Sequence, residues 1–221
     1  MKKIILLTLT VAGSLAFVQT SDQVIYKEAE WKNGVQSGDI ANLAKVSHVN
    51  ISYDFKDMAI AGKAVGESGH ITEESFVNKK AALIEAKEPG KGAEFKKNWE
   101  EAKTSDYPNA FEALFNQYAI NDIKMTGKNT TDIGEYNLLV RTTKIEPGYK
   151  MGVLTMLPYL DIEYIFTDKS GKELVTIFLK SVQPSAAGAP VWALHKQLAP
   201  SYEKAAKKLV ELIQDTRAGK R

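Results

Sequence analysis

The sequence predicts an α+β fold: a two-layer sandwich with a mostly antiparallel sheet, helices packed on one of its faces and a long C-terminal helix. Three observations carry this reading. Leu160, Ile162, Tyr164 and Phe166 alternate with Asp161, Glu163, Ile165 and Thr167, the period-2 pattern of a half-buried strand. Between Thr72 and Tyr118, apolar residues recur at helical spacing instead. Near the C-terminus Val191, Leu194, Leu198, Tyr202, Ala205, Leu209 and Ile213 recur at intervals of three and four, with lysines and acids largely opposite. Helices gathered on one side of antiparallel strands give two layers around one core.

The chain opens Met1-Lys2-Lys3, continues apolar from Ile4 to about Ala12, and reaches Ser14-Leu15-Ala16. A positive end, a short apolar run and small residues at a cut are the order of a secretory leader. The expected division is a signal peptide at 1–16, an N-terminal arm at 17–45 and a single domain at 46–221. Cleavage nearer Thr20 is the alternative. The arm, with Trp31, Gly34 and Gly38, reads as irregular or as a short helix.

Val49, Ile51, Tyr53 and Phe55 alternate with polar residues, so 46–55 reads as the first strand. Glycines at 62, 66 and 69 suggest a loop or a weak second strand after it. Thr72 is an N-cap, with Glu73 and Glu74 complementing the positive helix end. This helix ends at Pro89-Gly90. A second spans Ala93 to about Lys103, and a third starts at Asp106-Tyr107-Pro108, proline being tolerated in the first turn. Ile120–Met125 reads as a short strand and 127–134 as a loop. Tyr136–Glu146 is a strand, Pro147-Gly148 suits a type II turn, and Met151–Leu157 extends back from it. Asp168-Lys169-Ser170-Gly171 joins the Leu160–Thr167 strand to Leu174–Val182, which is apolar on both faces and therefore central. Pro184 to Pro190 is a break, and the final helix kinks or restarts at Pro200.

Composition excludes several functions. The chain has no cysteine, so disulfides, thiolate catalysis, cysteine zinc sites and a lipidated leader are all ruled out. It carries 29 Lys+Arg against 27 Asp+Glu, and removal of the leader takes away Lys2 and Lys3. The mature chain is then neutral, without a field to draw it to nucleic acid or to an anionic membrane. No later segment is long and apolar enough to span a bilayer. His48, His70 and His195 are far apart and lack metal-helix spacing. There is no phosphate loop in its strand–loop–helix setting and no nucleophile elbow. No cofactor is implied.

The candidate binding residues are few. Asp54 and Asp57 close the first strand and are placed to line a pocket mouth. Trp31 is the tryptophan outside the predicted buried stripes. Pro147, Gly148 and Tyr149 form a turn beside the apolar cluster Met151, Val153, Leu154, Met156 and Leu157. Such a patch, left outside the core, marks an interface.

The run Tyr136-Asn137-Leu138-Leu139-Val140-Arg141-Thr142-Thr143, followed by Glu146-Pro147-Gly148-Tyr149 and Gly152-Val153, resembles a group of exported Gram-negative proteins with no assigned activity. Phe115-Asn116 and Ser201-Tyr202 add to the similarity, which covers about residues 46–213. The resemblance implies an envelope or secreted location and an α+β fold, and no chemistry. The expected function is a soluble periplasmic or secreted module that binds an envelope protein or a small apolar or glycan ligand. The alternative is an envelope hydrolase or glycan-processing enzyme acting through Asp54 and Asp57.

Overall fold

The computed structural model describes residues 23–24, 26, 32–151, 154–184 and 193–220. The leader, its cleavage point, Trp31, Trp192 and the 185–190 stretch lie outside the described residues.

The described chain is an α+β two-layer structure. Its first strands are β1 (Gln23–Val24), β2 (Gly34–Gly38), β3 (His48–Asp54), β4 (Ala59–Ala61) and β5 (His70–Thr72). Helices α1 (Glu73–Glu85), α2 (Lys91–Glu101) and α3 (Tyr107–Asp122) follow, then β6 (Thr126–Asn129), β7 (Tyr136–Glu146), β8 (Tyr149–Met151), β9 (Leu154–Met156), β10 (Tyr159–Asp168) and β11 (Glu173–Val182). Helix α4 (Leu194–Arg217) closes the fold. The main sheet runs β1-β5-β4-β7-β10-β11-β2, with β3 and β6 joined alongside. β7 is its centre. One edge of β7 pairs antiparallel with β10 along its whole length. The other edge is shared in series by two parallel partners, β3 over Asn137–Arg141 and β4 over Lys144–Ile145.

Alternation along β3, β7, β10 and β11 sends one set of side chains to the helices. Ile51, Leu138, Phe166 and Val175 share one register row, and Tyr53, Val140, Tyr164 and Ile177 share the next. All but the half-buried Tyr53 are within 1% of fully buried. Helix α4 lies over β10 and β11 and packs on α3. Its Tyr202 stacks on Tyr107 at 4.6 Å and its hydroxyl meets that of Thr142 on β7 at 2.7 Å. Trp99 of α2 packs against Phe76 and Phe95, and its indole N–H donates to Glu73 at 2.6 Å.

The structure differs from the sequence reading at several places. Residues 34–38, read as part of an irregular arm, form β2 on the outer edge of β11. Gly38 is required there, since a Cβ would clash with the Leu174 carbonyl oxygen and the Val175 Cα, and the residue stands at φ of 71°. The second and third helices are continuous through a π-turn at Ala102–Asp106, where the Tyr107 N–H reaches back five residues to Ala102. Pro108 lacks an N–H and its ring crowds the preceding turn, and the wider π-turn absorbs both. The short strand is displaced from 120–125 to 126–129, because α3 continues to Asp122 with Ile120 on its exposed side. Gly127, read as a loop glycine, is a strand glycine: a Cβ there would lie 2.4 Å from Ile51 Cδ1. Finally, α4 continues through Pro200 without restarting.

The outer edge of β6 is closed by α3. Asn116 takes the Gly127 N–H at 2.7 Å and donates to the Gly127 carbonyl at 2.8 Å, as a neighbouring strand would. Glu112 takes the Asn129 N–H at 2.6 Å. An exposed edge invites pairing with another chain, and this one is saturated by side chains.

His195, in the first turn of α4, is only 4% exposed. Burial holds its imidazole below the ordinary value, and Lys196 pulls the same way. Asp106, Glu101 and Glu94 pull weakly upward. The unfolded chain therefore takes up this proton first. The stability linked to His195 is fully present above about pH 6.5 and is lost as pH falls through the folded value. The urea midpoint is expected to fall between pH 7 and 5, and to fall less in His195→Gln. Equal slopes for both proteins would show that His195 contributes nothing to acid sensitivity.

Candidate binding groove on the uncovered sheet face

The face of the sheet turned away from the helices is organised in rows across β3, β7 and β10. Asn50, Asn137 and Thr167 make the first row and Ser52, Leu139 and Ile165 the second. Asp54, Arg141 and Glu163 make the third. The order is uncharged polar, mixed with Leu139 and Ile165 as its apolar pair, then ionic, and it follows from three alternating strands held in register.

The first two rows floor a groove of about 390 Å³. Its walls are the Thr130–Ile133 loop on one side and the Asp168–Gly171 turn on the other. The first wall is fixed by Asn50 Nδ2, which donates to the Asp132 carbonyl at 3.0 Å, and by Gly134 N–H, which donates to Asn137 Oδ1 at 2.8 Å. The second wall is an Asp-centred turn: Asp168 Oδ1 accepts the backbone N–H groups of Ser170 at 2.8 Å and Lys172 at 3.1 Å. These bonds, led by the Ser170 hydroxyl, hold the Asp168 carboxyl below its ordinary range. Leu139 and Ile165 are half-buried in the middle of the sheet, and Ile133 stands 81% exposed on the rim.

The ionic row is the next one along the strands, beside the residues that line the groove. Arg141 Nε donates to Asp54 Oδ2 and its Nη1 to Glu163 Oε2, both at 2.9 Å. Burial works against the charged guanidinium, and these two carboxylates more than offset it.

Beyond that row the same face carries a buried ion pair. Lys144 and Asp161 are directly opposite on β7 and β10, with Nζ and Oδ2 3.3 Å apart. Lys144 is 1% exposed and Asp161 is fully buried. The Tyr26 hydroxyl donates to Asp161 Oδ2 at 2.8 Å, and the Ser181 N–H donates to Oδ1 at 2.7 Å. The Lys144 ammonium lies over the rings of Tyr26 and Tyr159, at 4.8 and 5.2 Å from their centroids. Ser181 adopts φ of 55° at a β-bulge in β11, which aims its N–H at the carboxylate. Tyr26 follows β1 at one edge of the sheet. Asn33, which accepts the Lys180 N–H at 2.6 Å, precedes β2 at the other. Tyr26 thus covers the middle of this face, while β1 and β2 lie at its two edges.

The residues singled out from sequence are not brought together. Asp54 sits in the ionic row, with Oδ2 on Arg141 and Oδ1 accepting the Lys56 N–H at 2.8 Å. Asp57 is exposed at φ of 57° in the turn between β3 and β4. Pro147 and Gly148 are buried, and Tyr149 is half-buried, with the Lys63 ammonium 4.4 Å from its ring centroid. The turn expected at Pro147-Gly148 is instead a bend within one long hairpin. Glu146 pairs with Tyr159 and Tyr149 with Met156, so 147–148 face 157–158. A proline on each strand removes ladder donors at that point, and β8 and β9 continue as a separate two-stranded sheet. Beside the bend, burial raises the Glu146 carboxyl above its ordinary range, although Gly148 N–H donates to it at 3.3 Å. Trp31 lies outside the described residues.

Leu139 and Ile165, which floor the groove, and Arg141 and Glu163 in the next row were not among the predicted site residues. The available signal was the outward-facing set of β10, in which Ile165 interrupts a polar alternation. Among the described residues no three His, Asp or Glu side chains are grouped to hold a metal ion, and no helix is long and apolar enough to cross a membrane. Compared with protein families, curated proteins and solved structures, the chain matches none.

Proposed function

We propose that this chain is a non-catalytic binding module, working outside the cytoplasm, that holds a small ligand with an apolar body on the face of its sheet turned away from the helices. One observation carries the reading: Leu139 and Ile165 form an apolar floor at the centre of the sheet, with no helix over it among the described residues, walled by two ordered turns. The volume falls within the range of small-molecule sites, and a largely apolar floor with a few placed polar groups is their usual composition. The extracellular or periplasmic location rests on the leader at 1–16. Binding is preferred to hydrolysis because the Asp54 carboxylate is already engaged by Arg141 and by the Lys56 N–H, and Asp57 stands apart in solvent. Carboxylate catalysis needs two groups across a cleft with separated pKa values.

The neutral fluorescent probe N-phenyl-1-naphthylamine tests this. The mature protein is expected to enhance its emission, and Leu139→Asp or Ile165→Asp to reduce that enhancement about tenfold, since each places a charge under the apolar body. Both positions are half-exposed, so the far-ultraviolet circular dichroism is expected to stay unchanged. Enhancement that survives both substitutions in folded protein removes the groove as the site.

A further inference from the structure

We infer that the groove selects an uncharged ligand whose apolar body ends in a carbonyl-type acceptor, and that Arg141 is the residue that reads this group. The inference rests on the binding reading above and adds the ligand class. Leu139 and Arg141 are two residues apart on β7, so the backbone of Arg141 lies about 7 Å along the strand from that of Leu139 on the groove floor. Ser52 to Asp54 on β3 and Ile165 to Glu163 on β10 make the same step. A ligand resting on Leu139 and Ile165 therefore meets the ionic row at its next polar group.

That row disfavours either full charge. Two carboxylates surround one guanidinium, leaving a net negative charge that repels an anion. The side chain facing solvent is nevertheless Arg141, 38% exposed against 28% for Asp54 and 9% for Glu163, so an incoming cation meets the guanidinium first. Only Nε and Nη1 are engaged; Nη2 makes no bond among the described residues. An arginine has five N–H donors in a planar fork. Those left over, on a group whose charge two carboxylates already outweigh, suit a neutral acceptor: an amide, ester or ketone oxygen.

Three probes of equal chain length decide the matter: hexanamide, hexanoate and hexylammonium, titrated into the isotopically labelled mature protein and followed by the amide signals of Leu139 and Ile165 and the Nε–H signal of Arg141. Hexanamide is expected to bind about tenfold more tightly than either charged probe, because each of those meets a like charge in the ionic row. Its affinity is expected to change less than about twofold between low and high salt, since no net charge is neutralised. In Asp54→Asn/Glu163→Gln the guanidinium is unpaired, and the preference is expected to turn to hexanoate. Equal or better binding of hexanoate or hexylammonium by the unsubstituted protein overturns the inference while leaving the binding reading in place. Failure of all three to move Leu139 or Ile165 overturns both. Should the double variant not fold, the probe ranking and salt series on the unsubstituted protein still decide.

Discussion

Asp161→Ala is expected to remove about 3–5 kcal/mol of folding stability, the range for breaking a buried ion pair by deleting one partner. The carboxylate is fully buried and serves three groups at once: the Lys144 ammonium, the Tyr26 hydroxyl and the Ser181 N–H. Alanine takes from a cation at 1% exposure the carboxylate 3.3 Å away, and from two donors the acceptor they share. The two tyrosine rings over Lys144 supply only a part of what is lost, about 2 kcal/mol at most for a desolvated cation–π contact. A domain of this size has about 5–15 kcal/mol in total, so the variant is expected to unfold at a much lower urea concentration. Replacing both partners is a different experiment. Lys144→Met with Asp161→Leu removes the two buried charges together and is expected to cost far less than the single change, because desolvation of both ions is also avoided. The urea midpoints of the two variants at pH 7 check this. A single variant that loses less than about 1 kcal/mol, or a double variant as unstable as the single one, means that Lys144 finds other partners on this face.

The balance between what was legible in the sequence and what was not follows the range of the interactions. Strands β3, β7, β10 and β11 were read near their observed ends, because alternation is a property of consecutive residues. The first turn of α1 was equally legible: Thr72 Oγ1 accepts the Ser75 N–H at 3.2 Å, as its cap position requires. β2 was missed because Gly-Val-Gln-Ser-Gly has no alternation and holds its place through pairing with β11, some 140 positions away. The groove was missed for the same reason in stronger form. Asp54, Arg141 and Glu163 look in sequence like three unrelated surface charges. Only the parallel pairing of β3 with β7 and the antiparallel pairing of β10 align them, and parallel pairing leaves no local turn to reveal it. Asp54 was a candidate for its own acidity, whereas its visible work is to hold an arginine. Phe115-Asn116, quoted for a resemblance, has a legible physical role only in the fold, where Phe115 is buried and Asn116 saturates the edge of β6.

Gly148→Val is the second large effect, expected at about 3–5 kcal/mol. Gly148 stands at φ of 69°, a conformation that costs a branched side chain about 1–3 kcal/mol by itself. A Cβ there would also lie 2.4 Å from the Met156 carbonyl oxygen and 2.8 Å from the Pro158 nitrogen, both backbone atoms that cannot rotate away. The opposite strand would have to shift, adding the usual 1–3 kcal/mol or so of overpacking. The strain falls where β7 and β10 give way to β8 and β9, between the facing pairs 147–148 and 157–158. The hairpin end is therefore expected to lose its register first. Hydrogen exchange should show Tyr149 to Met151 and Leu154 to Met156 deprotected in the variant, with Tyr164 and Val140 close to the unsubstituted rates after correction for global stability. Pro147→Ala serves as the contrast. It keeps φ at 148 free and creates no contact with Met156, so its cost is expected to stay near the 0.4–1 kcal/mol or so of a lost proline constraint. If Gly148→Val and Pro147→Ala prove equally mild, the bend is not held by the close approach at Gly148. If Gly148→Val alone is severe, the Pro-Gly pair is a structural bend, and any contact this hairpin makes with a partner is made by the strands beyond it.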